Sequence, residues 1–109
     1  MLAALGYQRH GGLDSPLVYA GDGPDVLVYA VEGAVTAPHR HGQPGLQHIA
    51  LEVDEPALVD AVFRIVVDAG GTIVHQPQFY DYMDGYYAVF VEDPDGSRLE
   101  VVHIPAGAA

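Results

Sequence analysis

The sequence predicts an α+β fold. One complete β-α-β-β-β module occupies residues 46–105, and residues 1–36 hold three strands of a second, N-terminally truncated copy; 37–45 is the linker, and the whole is one domain. Three observations predict this. A single apolar strand leads into an amphipathic helix; three further strands follow it; and pieces of the first half repeat pieces of the second.

Leu46 to Val53 is an apolar stretch closed by Asp54-Glu55-Pro56, where an acidic pair and a proline open a helix. Along Ala57 to Ala69, Leu58, Ala61, Val62, Ile65, Val66 and Ala69 recur at steps of three and four, with Asp60, Arg64 and Asp68 on the other side. That spacing predicts an amphipathic helix, and Gly70-Gly71 stops it. Thr72 to His75 reads as a short strand, and Pro77 to Gly85 as an aromatic-rich connection. Tyr86 to Glu92 and Arg98 to Ile104 are two strands joined by Asp93-Pro94-Asp95-Gly96, in which Pro and Gly favour a tight reversal, so Asp93 and Asp95 are turn formers and not catalytic carboxylates.

The first half repeats the end of this pattern. Ala4-Leu5-Gly6-Tyr7 resembles Ala69-Gly70-Gly71-Thr72, and Leu17 to Gly23 followed by Val26 to Val31 resembles Val89 to Gly96 followed by Leu99 to Ile104. In this register the counterparts of the opening strand and of most of the helix fall before Met1. An unpaired sheet edge results, and the expectation is a homodimer that covers it.

A chain of 109 residues is long enough for one core and too short for two. Half of the residues are hydrophobic and 17% are charged, which excludes a disordered chain. Fifteen acidic residues against four Lys and Arg give a formal charge of -11, which repels a phosphate backbone, so nucleic acid and anionic membrane are excluded as partners. With no cysteine there is no disulfide, thiolate metal site or Cys nucleophile. Met1 to Gly6 lacks the basic and apolar regions of a secretory signal, and no apolar run approaches the roughly 20 residues that span a bilayer. A cytoplasmic location is expected.

The pieces Gly45 to Val53, Ala69-Gly70-Gly71, Gly85 to Phe90 and Asp93 to His103, in this order and spacing, resemble the second module of the vicinal-oxygen-chelate superfamily, which includes glyoxalases, bleomycin resistance proteins and dioxygenases. The resemblance is strong over 45–104 and weaker over 5–35. It implies paired modules whose curved mixed sheet forms a cup, with a small-molecule ligand inside. It also implies a divalent metal held by a His of the first strand and a Glu of the last strand of each module, hence by His48 and Glu100 here, with Glu100 also catalytic. Imidazole and carboxylate suit Fe, Mn, Ni or Zn.

Alternation along the strands puts Ala50 and Glu52 with His48, and Arg98 and Val102 with Glu100, leaving Ile49, Leu51, Val53, Leu99 and Val101 for the helix. The departure from the family lies in the first module, whose His is missing and whose Glu is replaced by Leu27. Two readings follow: a metal-dependent lyase or dioxygenase, or a metal-free protein that binds or sequesters a small molecule such as an antibiotic. The candidate substrate contacts are Tyr82 and Tyr87, from an aromatic group that also includes Tyr80 and Tyr86, together with Arg98, Leu27 and Tyr29. His39-Arg40-His41 reads as exposed linker, and His75 and His103 as structural or exposed.

Overall fold

The structure is a computed structural model that describes residues 1–10, 17–21, 23–29 and 40–105. It is an α+β protein with two sheets and one α-helix, and the chain divides into two compact units, Met1–Thr36 and Ala37–Ala109. No helix among the described residues is long and apolar enough to cross a membrane.

In the first unit a 3-10 turn, Leu2–Leu5, ends at Gly6, whose φ of 87° is the left-handed region that glycine enters without strain. Three antiparallel strands follow in chain order: β1 (Gln8–His10), β2 (Leu17–Ala20) and β3 (Val26–Val28). The expected extension of β3 to Val31 ends short, and Ala30 and Val31 lie outside the described residues. Gly6 shares its left-handed backbone with Gly70, not with the Gly71 that the repeat alignment set against it, so the repeat is one residue out of register there.

The second unit is a four-stranded mixed sheet in the order β4-β7-β6-β5, with α1 (Pro56–Asp68) lying chiefly over β5 and β6. β4 (Ile49–Val53) runs parallel to β7 (Arg98–His103), and β6 (Tyr87–Glu92) lies antiparallel between β7 and β5 (Thr72–Phe79). β4 begins three residues later than the apolar run suggested. The helix has Pro56 in its first turn and ends in a Schellman arrangement, in which Gly71 N–H donates to Val66 O at 2.8 Å and Gly70 N–H to Val67 O at 3.0 Å.

The core is aliphatic. Val59 and Val62 of the helix meet a sheet face that carries Val89, Val91 and Val101, all buried, with Val53 buried at the end of β4. The expected helix-facing set is covered at Val53 and Val101, whereas Ile49 is 46% exposed, because the helix makes little contact with β4. The turn after β6 forms as the sequence predicts: the Asp93 carboxylate accepts from the N–H groups of Asp95 and Ser97 at 3.0 and 2.8 Å, and Gly96 takes a φ of 85°.

β5 departs most from expectation. It runs to Phe79 instead of stopping at His75, and it carries Pro77, which an edge strand tolerates. Its register against β6 shifts twice, between Ile73 and His75 and between His75 and Gln78. Ile73 pairs with Val91 on the helix face, and simple alternation would put His75 there too; the bulge instead sets His75 opposite Phe90, on the other face.

A hollow around a buried carboxylate

The face of the second sheet turned away from the helix carries Phe90 opposite Glu100 and Glu92 opposite Arg98. Among the described residues Glu100 is the one charged residue that is buried, at 2% exposure. Removing a carboxylate from water is costly unless donors replace the water, and both oxygens have one. Oε1 accepts from His48 Nε2 at 3.0 Å, and Oε2 accepts from the Tyr86 hydroxyl. His48 stands one residue before β4, a third exposed, and its Nδ1 meets the side-chain amide of Gln47. The atom that meets Nδ1 is the amide oxygen, an acceptor.

Aromatic rings form the walls. Phe90 makes T-shaped contacts with His48, His75 and Tyr80, at centroid distances of 5.8, 5.8 and 5.6 Å. Tyr80 and Tyr82 stack with 2° between their planes, and Tyr86 stands nearly perpendicular to both. The connection that presents these tyrosines is closed by Tyr80 N–H donating to Tyr86 O at 2.9 Å. Together with Arg98 and Gln47 they enclose a hollow of about 400 Å³, which suits a small ligand.

Burial, then the hydrogen bond to Glu100 and its charge, hold the Tyr86 hydroxyl well above its ordinary value of 10.0. Burial and the neighbouring Tyr82 and Glu100 raise Tyr80 as well. Both phenols are therefore protonated at neutral pH, so that Tyr86 acts as a donor to the carboxylate.

A model of the Glyoxalase/Bleomycin resistance protein/Dioxygenase superfamily matches residues 4–101. The chain belongs to that superfamily. It is similar to YqjT of Bacillus subtilis strain 168, an uncharacterised protein, at 26% identity over 103 residues, covering 93% of this chain and 80% of YqjT. Among solved structures it is similar to a glyoxalase/bleomycin resistance protein from Albidiferax ferrireducens T118 (TM-score 0.72, 23% identity, 95% of this chain and 81% of that one). It is also similar to a lactoylglutathione lyase from Agrobacterium tumefaciens (TM-score 0.60, 21% identity, 92% and 77%). At these identities the structural likeness establishes the fold.

The superfamily often binds divalent metals, and the donors in the hollow can be tested for that. His48 and Glu100 supply one nitrogen and one carboxylate. Among the described residues no group of three or more His, Cys, Asp and Glu comes together, while a held ion takes three or four protein ligands. Both carboxylate oxygens are also already accepting hydrogen bonds. The described donors therefore do not fit a tightly held ion.

The residues singled out from the sequence separate. His48, Glu100, Tyr82 and Arg98 all line the hollow. Tyr87 does not: it sits on the helix face, where its hydroxyl donates to Asp60 Oδ1 at 2.7 Å and its ring lies 4.8 Å from Phe79. Tyr86 and Tyr87 are adjacent on an extended chain and so point to opposite sides. Leu27 and Tyr29 belong to the first unit, where they are 46% and 65% exposed. Of the linker expected to be exposed, His39 lies outside the described residues and Arg40 is exposed, but His41 is half-buried with its Nε2 covered. His103 is placed structurally, its Nδ1 hydrogen-bonded to Val53 O at 3.2 Å, which ties β7 to β4. Sequence reasoning missed His75, Phe90 and Gln47. Pro77, which marks an irregular edge strand, was the available signal for His75.

Proposed function

We propose that this chain binds a small organic molecule in the hollow of its second unit, without a resident metal. The observation that carries this is the buried Glu100 carboxylate, held between His48 and Tyr86 and opening on about 400 Å³ of aromatic-walled space. Packing alone does not require a carboxylate in such a place, and a site with a few convergent polar groups in an apolar setting is what small-ligand recognition uses. Tyr82, 68% exposed, stands at the rim as a ring that a ligand can cover, and Arg98 gives the same wall a cation.

Screening a fragment library by amide chemical-shift changes tests this. Binding that moves the signals of Tyr86, Phe90 and Glu100 and is lost in Glu100→Ala supports it; a screen with no binder at these residues overturns it. The metal-dependent lyase or dioxygenase reading rests on the same His48 and Glu100, which stand 3.0 Å apart. One equivalent of Fe, Mn, Ni or Zn per chain, in protein purified without chelator, would establish that reading instead. The expected homodimer is tested by light scattering at micromolar concentration, where a monomer mass overturns it.

A further inference from the structure

Two buried polar atoms of the hollow's wall are left unpaired, and both belong to hydrogen-bond donors. We infer that the hollow takes a planar organic acid, a ring bearing a carboxylate, in preference to neutral or cationic molecules of the same shape, with Arg98 and Tyr80 as the donors that hold it. This rests on the small-molecule reading above and names the ligand class.

Glu100 has little left to offer a ligand. It is 2% exposed, and its two oxygens already accept from His48 and from Tyr86. Arg98 and Tyr80 are in the opposite condition: among the described residues, Arg98 Nε and the Tyr80 hydroxyl are buried with no hydrogen-bond partner, and both residues line the hollow. A buried donor without an acceptor lowers stability, so an acceptor supplied there is rewarded. The guanidinium has five N–H donors and no acceptor. Its tie to the protein runs from Nη2 to Glu92 Oε2 at 3.5 Å, the outer limit of a hydrogen bond, and so loose a contact lets the group turn its Nε edge toward a ligand. Burial raises the Tyr80 phenol above its ordinary range, which keeps its proton in place for donation. The ring stacked on it, Tyr82, is 68% exposed and can shift at the rim without disturbing the core.

A carboxylate answers this arrangement. It only accepts, and its two oxygens match the planar fork of a guanidinium. An ammonium or amidinium group instead brings further donors, and a positive charge, to a wall that already holds Arg98. The planar body follows from the aromatic walls, since Phe90 and Tyr82 give a flat ring stacked or edge-to-face contacts.

The test compares benzoate, benzamide and benzamidinium, which share a planar shape and are anionic, neutral and cationic at neutral pH. Binding to the full chain is followed by NMR titration of the backbone amides and of the arginine Nε–H signals, with Arg98→Gln assigning the one from Arg98. Salt at about 0.15 M screens the repulsion of an anion by the chain's formal charge of -11. Benzoate is expected to bind about tenfold more tightly than benzamide, with shifts at Tyr80, Phe90 and Arg98 Nε–H, and benzamidinium more weakly than either. Arg98→Gln should bring benzoate and benzamide level. Tyr80→Phe should weaken benzoate about threefold and, because it removes an unpaired hydroxyl, leave the urea midpoint unchanged or raised. Benzamide or benzamidinium binding in the hollow as tightly as benzoate, or an Arg98 Nε–H signal that bound benzoate does not move, overturns the preference for an acid and leaves the small-molecule reading standing. If neither these probes nor any library fragment binds there, both are overturned.

Discussion

Tyr86→Phe tests the buried hydrogen bond on which the reading of the hollow depends. The substitution removes one oxygen and leaves the ring, so the contacts of Tyr86 with Tyr80 and Tyr82 persist. What is lost is the donor to Glu100 Oε2, with Oε1 still bonded to His48 at 3.0 Å. A hydrogen bond to a charged group contributes about 1.5–3 kcal/mol, and a buried charge left without it incurs the upper part of that range. Here the carboxylate borders about 400 Å³ of open space, room for several waters at roughly 30 Å³ each. Water can therefore replace the phenol, and the expected loss lies near the lower end, about 1.5 kcal/mol. Urea unfolding followed by far-UV circular dichroism measures it from the shift in midpoint at constant slope. The same substitution made in Glu100→Gln should cost about half as much, because the acceptor is no longer charged. A loss under about 0.5 kcal/mol, or one that is the same in both backgrounds, would refute the hydrogen bond as described.

Other outcomes follow from single features. Tyr87→Phe, which removes the 2.7 Å bond to Asp60, should destabilise by about 0.5–1.5 kcal/mol and leave every ligand affinity in the hollow unchanged; a weaker ligand in this variant would restore Tyr87 to the site. Gly70→Ala, at a φ of 73° with open space where Cβ would be, should cost about 1–2 kcal/mol of left-handed strain. Gly85→Ala has a similar φ of 74° but puts Cβ 2.6 Å from Pro105 Cγ, so its midpoint should fall further; equal losses would argue against that contact. Because Tyr80, Tyr86 and Tyr87 are all raised above 10.0 in the folded protein, the folded state holds protons that the unfolded state releases. Their contribution to stability is complete below pH 10 and declines as pH rises through the folded values, so thermal midpoints should drop from pH 9 to 11, and less so in Tyr86→Phe.

What the sequence discloses depends on how local the cause is. The helix, the Asp93 turn and the β6–β7 pair are determined by spacing, Pro and Gly within a few residues, and each forms where the periodicity places it. The pairing of His48 with Glu100 was legible only through the family pattern, since 52 residues separate them and the contact depends on β4 lying parallel to β7. The side of the sheet taken by His75 was not legible: alternation gives one answer, and a bulge, a property of pairing between two strands, reverses it. The choice between Tyr86 and Tyr87 failed for a related reason. Both are aromatic and adjacent, and only the phase of β6, fixed by Val89 and Val91 facing the helix, decides which hydroxyl reaches Glu100 and which reaches Asp60.

Glu100 is a poor choice for stability, and this gives a sharper test of why it is there. Neighbouring Ala88 and Val102 on the same face are buried and apolar, so an apolar side chain at 100 would extend an existing cluster. Replacing a buried ionic group and its partners together by apolar residues is commonly neutral or stabilising by about 1–4 kcal/mol, whereas removing one partner alone is destabilising. The triple variant His48→Leu, Tyr86→Phe, Glu100→Met should therefore be at least as stable as the parent in urea while losing ligand binding in the hollow. That combination is the signature of groups retained for a site at the expense of stability. If the triple variant instead loses more than about 3 kcal/mol, the His48–Glu100–Tyr86 chain is a structural strut, because only then does the fold itself depend on a carboxylate at that position.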